Sequence, residues 1–335
     1  MVNVKKSVFD TPVLLIGFNR PDSTLLVIEA LRAIGARNIY FSVDGPRINS
    51  ESDIVRVKKV RELAAKFDWG CELKIKFETE NLGLMKSVSK SISWFFENEL
   101  EGIILEDDCV PTSDFFNFAQ SMLKKYRNNP SVMHISGSPY FISTPKYDFN
   151  HFLSTLPSVW GWATWRNSWS CFDLTMKNLD NKDEYEVFLN YFKSKKIANW
   201  FIRYFEEAKS PLSKVWSAQW MYAMIQKNAY AIVPIKGLVQ YIGSDPESTH
   251  GQAKSMKLYD NYPIEFLPKF PDPEELKVNT ELIANQFRFI RKTDVNLQLT
   301  RRFYLSFKSI IARLIPRRLR KKLKSLRFLV GALNR

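Results

Sequence analysis

Glu106-Asp107-Asp108 sets three carboxylates in a row directly after the apolar run Gly102-Ile103-Ile104-Leu105. A short apolar run stopped by turn chemistry, here Pro111, fits a central parallel strand. Side chains alternate on a strand, so Glu106 and Asp108 are expected on one face and Asp107 on the other. Two carboxylates about 4 Å apart repel by roughly 4 kcal/mol at an effective dielectric of 20, and a divalent cation or a bank of donors reverses that sign. Open α/β sheets bind ligands at the carboxyl ends of their strands, where this triplet would lie. Alone, the triplet leaves two readings open: a metal–phosphate site, or an acidic loop start that caps the next helix.

Other strand ends carry polar groups as well. The apolar run 13–18 ends in Asn19-Arg20, and the planar fork of Arg20 suits a phosphate as well as a plain helix-flanking position. The run 39–43 ends in Asp44-Gly45-Pro46. Asp44 there is either a turn residue or an acceptor for a base N–H such as uracil offers. Asn81-Leu82-Gly83, with Lys86 and Ser87 following, forms a turn and a helix N-terminus, a seat for an anionic or polar ligand or an ordinary strand-to-helix turn. Each signal is weak by itself, but together they put polar groups at the ends of four successive expected strands.

The elements that must position these groups alternate. Strands are expected at 13–18, 39–43, 73–77, up to 105 and 132–136. Between them, helical spacing begins at Pro21 and recurs over 51–67, 84–97 and about 113–126. Strands alternating with helices of this length indicate βαβ units and a parallel sheet. Beyond about residue 140, helices are expected over 183–208, 214–227 and near 274–291, strands at 231–233 and 238–241, and an irregular Pro-flanked stretch at 243–273. The expected organisation is 1–140 and 141–273 as two halves of one domain, then a helical tail over 274–335.

The net charge of +14 is located in that tail, since residues 301–335 hold twelve Lys and Arg and no Asp or Glu. The body is near neutral, which argues against nucleic acid as partner. Phe303, Phe307, Ile310, Ile311 and Leu314 form one helical stripe, resumed by Leu319, Leu323 and Leu326 after Pro316, with basic residues opposite. That pattern suits an anionic membrane surface, each basic residue contributing about 1 kcal/mol; a partner helix is the next reading. No apolar run is long enough to span a bilayer, and the N-terminus gives no secretory signal. Three widely spaced cysteines match no zinc pattern and fit a reducing compartment.

The ordered series ending Asn19-Arg20, then Val43-Asp44-Gly45, Asn81-Leu82-Gly83, Glu106-Asp107-Asp108 and Trp160-Gly161-Trp162 resembles nucleotide-sugar glycosyltransferases of the GT-A fold. The likeness is to bacterial family-2-like proteins, some called hemolysin-like, and more distantly to N-acetylglucosaminyltransferase I; it covers roughly 11–250. The resemblance implies a Rossmann-like, mostly parallel sheet flanked by helices. It implies that Asp44 binds uracil with Arg20 near base and phosphates, and that Asn81 and Lys86 belong to the same donor site. Glu106 and Asp107 would hold ribose and sugar, and Asp108 would bind Mn²⁺ or Mg²⁺ bridging the donor's phosphates. His250 would lie near the diphosphate and reach the metal. Trp160, Gly161 and Trp162 would line the sugar or acceptor site; the alternative for the tryptophans is packing.

One position departs from the pattern. Similar sequences carry Trp-Asp-x-Gln-Trp where this chain has Trp216-Ser217-Ala218-Gln219-Trp220. The missing Asp is the favoured general base, and a serine hydroxyl cannot replace it unaided. Asp245 or Asp173 could serve instead, the reaction could retain configuration, or activity could be impaired. The expected function is therefore a metal-dependent transfer of a hexosyl or N-acetylhexosaminyl group from a UDP-sugar to a glycan or lipid-linked acceptor. The expected setting is the inner face of a bacterial plasma membrane, in surface polysaccharide synthesis. The alternatives are a nucleotidyltransferase, or a non-catalytic membrane-peripheral protein on a decayed transferase fold.

Overall fold

The computed structural model describes residues 9–141, 147, 149–181, 183–210, 213, 215–243 and 276–293. Three βα units and a fourth strand open the chain, in the order expected. They are β1 (Val13–Gly17), α1 (Pro21–Ile34), β2 (Asn38–Val43), α2 (Glu51–Glu62), β3 (Glu72–Phe77), α3 (Leu84–Asn98) and β4 (Glu101–Glu106). A three-residue strand β5 (Cys109–Pro111) then precedes α4 (Ser113–Tyr126) and β6 (Val132–Ser136). The second half adds β7 (His151–Ser154), β8 (Trp162–Trp165), α5 (Arg166–Trp169), α6 (Glu184–Phe192), α7 (Lys195–Ala208), α8 (Ser217–Gln226), β9 (Tyr230–Pro234), β10 (Val239–Tyr241) and α9 (Thr280–Thr293).

The large sheet has the order β3-β2-β1-β4-β8-β6-β9-β7. β1, β2, β3 and β4 pair in parallel, and β6 pairs in parallel with β9. β8 runs against both β4 and β6, and β7 runs against β9. The sheet is thus mostly parallel and Rossmann-like in its first half. Succession proceeds outward from β1 through β2 to β3, then returns to the other side of β1 at β4. This reversal is a topological switch point, and open α/β sheets place their ligand crevice at such a point, here the carboxyl ends of β1 and β4.

Period-two alternation sorts the strand side chains into two cores. Val13, Leu15, Ile39, Phe41, Ile103 and Leu105 face one side, packed by Val27, Ile28 and Leu31 of α1 and by Val57 and Val60 of α2. Leu14, Tyr40, Ile104 and Trp162 face the other, packed by Ile92 and Phe95 of α3 and by Trp220 and Met224 of α8. Both faces being covered, the central strands read as unbroken apolar runs. A third core joins α6, α7, α8 and α9 through Phe188, Phe205, Tyr222 and Phe287.

Three expectations change. The helix expected over 183–208 is broken at Lys193, which has a left-handed φ of 52°. Ser194 then caps α7, its Oγ accepting from the Ile197 N–H. Pro111 does not stop the acidic run into a loop, because Cys109–Pro111 pairs antiparallel with Val239–Tyr241 as a small ribbon. The helical spacing over 51–67 resolves into α2 and a 3₁₀ turn over Leu63–Lys66. Most of the irregular stretch and all of the basic stripe at 301–335 lie outside the described residues. Among the described residues, no helix is long and apolar enough to cross a membrane.

Candidate functional site

β4 ends at Glu106, and Asp107 and Asp108 occupy the turn that follows. The expected strand alternation therefore stops one residue into the triplet, and Asp107 and Asp108 converge on a common partner. Arg20, three residues past the end of β1, donates from Nη1 to Asp107 Oδ1 at 3.2 Å and to Asp108 Oδ2 at 2.8 Å. The Phe18 N–H donates to Asp107 Oδ2 at 3.0 Å, so both oxygens of Asp107 are engaged by the β1–α1 turn. This brings Arg20 and the triplet together at the switch point.

Three carboxylates face a single guanidinium. Burial opposes the Arg20 charge, but Asp107 and Asp108 outweigh it and hold the guanidinium above its ordinary value. Burial, followed by the charges of Asp108 and Asp107, pushes the Glu106 carboxyl up to about 8. Burial also raises Asp107, with Arg20 pulling against it. Glu106 makes no side-chain hydrogen bond or ion pair among the described residues. Among the described residues the cluster carries more anion than cation, the condition under which a further positive charge is drawn in.

Among the described residues no three His, Cys, Asp or Glu side chains form a metal cage. Mg²⁺ and similar hard ions are commonly held by one or two carboxylates, with substrate phosphates and water completing the shell. Asp108 and Glu106 fit that smaller donor set. His250 and Asp245 lie outside the described residues.

The other expected residues separate into those at the crevice and those in the framework. Asp44, at the end of β2, is buried. Its Oδ1 accepts from the N–H groups of Gly45 and Leu82, both at 2.9 Å, and its Oδ2 from Asn81 Nδ2 at 3.1 Å. Asp44 thus fastens the turn that precedes α3, with Asn81 as its clamp. Lys86 sits exposed in the first turn of α3. Ser217 is the first residue of α8, following Trp216. Asp173 accepts from the Thr175 hydroxyl and from the N–H groups of Thr175 and Lys177, a local turn on the surface.

Trp162 is fully buried. It stacks on His134 with ring centroids 4.9 Å apart and on Trp216 at 5.8 Å. In this arrangement no sugar reaches its faces, which corrects the expectation of substrate contact; its role is packing. Burial holds His134 neutral, with its pKa down to about 3, and Trp220 Nε1 donates to its Nδ1 at 3.0 Å. Trp160 is half-buried and stacks on Tyr241 at 4.7 Å. Gly161, at φ 58°, makes the turn into β8; a Cβ there would meet Val239 Cγ2 at 2.7 Å.

Sequence reasoning missed Tyr241 and Gly243. The β5–β10 ribbon sets Tyr241 opposite Cys109, and the Ile242 N–H donates to the Asp108 carbonyl at 2.9 Å. A Cβ on Gly243 would collide with both Tyr241 Oη and Asp108 Oδ2. Burial, then Asp108, hold the Tyr241 hydroxyl well above its ordinary pKa. Two three-residue strands carry no readable periodicity, so only a glycine after an aromatic strand end marked this contact.

Asp53 supports the crevice from below. It is buried, accepts from Asn19 Nδ2 at 2.7 Å and from Arg47 Nη2 at 2.9 Å, and so ties the β1–α1 turn to the β2–α2 loop.

No protein-family model matches the chain. No curated protein matches it. Among solved structures it is similar to HddC from Yersinia pseudotuberculosis, at 12% identity over 48% of this chain and 78% of that one, TM-score 0.30. It is also similar to mouse xyloside xylosyltransferase 1 in its apo form, at 11% identity over 64% and 81%, TM-score 0.30. A third is a putative glucose-1-phosphate thymidylyltransferase from Bacillus anthracis, at 9% identity over 58% and 83%, TM-score 0.29. Likenesses this coarse carry no argument about activity; the fold class rests on the strand order itself.

Proposed function

We propose that the chain is a glycosyltransferase of GT-A type that moves a hexosyl or N-acetylhexosaminyl group from a UDP-sugar to a glycan or lipid-linked acceptor. One observation carries the reading: beside the switch point, Asp107 and Asp108 share the guanidinium of Arg20, and the neighbouring buried Glu106 adds a third carboxyl group with no ion-pair partner of its own among the described residues. Excess negative charge at that place suits a nucleoside diphosphate only when it arrives with a cation. Asp108, with Glu106 beside it, would hold Mn²⁺ or Mg²⁺, which would neutralise charge on the departing diphosphate.

The remaining roles belong to the chain's own groups. Arg20 binds diphosphate oxygens through its fork. Asp44, with Asn81, shapes the base end of the crevice. The edge of Trp160, backed by Tyr241, offers an apolar wall to a sugar ring. Ser217 is too weak a base to take the acceptor proton, and Asp245 is the proposed general base. The basic stripe at 301–335 would hold the protein peripherally on an anionic membrane, in keeping with a role in bacterial surface polysaccharide synthesis.

UDP release measured with a panel of UDP-sugars, with and without Mn²⁺, tests the reading. Metal-dependent release of UDP is the expected result; pyrophosphate release would point to nucleotidyl transfer instead. Asp108→Ala should abolish metal-dependent UDP binding, and undiminished binding in that variant overturns the site.

A further inference from the structure

We propose that Arg20 is an exchangeable counter-ion. In the free protein it occupies the side of Asp108 that a divalent cation would use, and it moves to the donor's diphosphate when nucleotide and cation arrive, so that the two bind as a coupled pair. The inference rests on the reading of the crevice as a nucleotide-diphosphate site.

The geometry separates what is fixed from what can exchange. The Arg20 backbone is pinned by α1, its carbonyl accepting from the Thr24 N–H at 3.0 Å and from Thr24 Oγ1 at 2.6 Å. Its side chain reaches back over the crevice, where one nitrogen, Nη1, serves both carboxylates. Asp107 keeps the Phe18 N–H when Arg20 leaves. Asp108 Oδ2 has Arg20 as its hydrogen-bond donor, and it lies close against Gly243, where a Cβ would collide with it. When Arg20 leaves, Asp107 therefore retains a donor while Asp108 Oδ2 loses the one it has, and Asp108 is the carboxylate proposed to take the cation in its place.

Charge dictates the coupling. A divalent ion on Asp108 with Arg20 still in place would set two cations against each other in a partly desolvated pocket, where screening is weak. A diphosphate removes that conflict by accepting the guanidinium, whose planar fork fits phosphate oxygens. Linkage requires the effect to be mutual: nucleotide tightens metal as much as metal tightens nucleotide.

Mn²⁺ titrations of the full chain, followed by the electron paramagnetic resonance signal of free Mn²⁺, test this without any turnover. In the wild type, saturating UDP should tighten protein-bound Mn²⁺ about tenfold or more. Arg20→Met should bind Mn²⁺ alone about tenfold more tightly than the wild type and lose most of the UDP effect. The proposal is overturned if Arg20→Met binds Mn²⁺ alone no more tightly, or if UDP tightens Mn²⁺ equally in both proteins. Should the variant fail to fold, the wild type decides: Mn²⁺ affinity unchanged by UDP overturns the exchange. Absence of Mn²⁺ binding even with UDP would instead remove the underlying reading of the site.

Discussion

The Phe18 N–H donates to Asp107 Oδ2 at 3.0 Å, tying the carboxyl end of β1 to that of β4 across the switch point. With Oδ1 taken by Arg20, Asp107 acts as the clasp of the crevice. Asp107→Ala leaves the Phe18 donor unpaired and is expected to cost on the order of 2 kcal/mol. Asp107→Asn keeps an acceptor for Phe18 and should cost less. Urea denaturation of both variants checks this, and equal losses would show that the Phe18 bond is not the source.

Asp44 is expected to be structural as well as part of the site. Its carboxylate collects Gly45 N–H, Leu82 N–H and Asn81 Nδ2, joining β2 to the turn before α3. Asp44→Ala orphans those donors, and a loss of about 2–3 kcal/mol is expected. A midpoint of unfolding within error of the wild type would contradict the clamp.

Glu106 should make stability fall as pH rises. Burial, Asp108 and Asp107 raise its folded pKa to about 8. An unfolded glutamate titrates at about 4.3, so between about pH 4.3 and 8 the folded state holds the extra proton. Stability from this group is fully present below that window and declines through it. Glu106→Gln should flatten the slope and gain relative to wild type above pH 8. Chemical denaturation at pH 5, 7 and 9 would reveal parallel curves if the expectation fails.

Asp53 should behave in the opposite sense. Hydrogen bonding from Arg47, against an opposing effect of burial, draws its pKa down to about 2, with Asn19 assisting. Its contribution is present above about pH 4 and lost as pH falls toward 2. Asp53→Asn should lose stability at pH 7 and converge on the wild type near pH 2, as followed by circular dichroism. A constant gap across that range would mean that charge is not involved.

Much of this was legible in the chain itself because the first half repeats one device. Apolar runs alternate with amphipathic helices, and each run ends in a polar group that must fall on the same edge. The triplet at 106–108 and Arg20 stand at such run ends. What stayed hidden depended on long-range partners. The run at Trp162–Trp165 reads the same in either direction, so nothing local revealed that β8 is reversed. Stacking aromatics serve a core as well as a sugar, so the sequence alone leaves both readings of Trp162 open. The clamp on Asp44 has no local signature because its donors, Leu82 and Asn81, lie almost forty positions away. Lys193 breaks a helix without Gly or Pro, and Ser194 was the sole local cue.

The reversed strand has an architectural result. Because β8 enters the sheet at the edge where β1 and β4 leave it, Ile104 lies opposite Trp162, and Trp160 and Gly161 hang over the rim. The rim is therefore stitched from chain arriving as well as chain departing. Lengthening or shortening the connection that feeds β8 would remodel what overhangs the opening, while the hydrogen-bond ladder beneath stays in register.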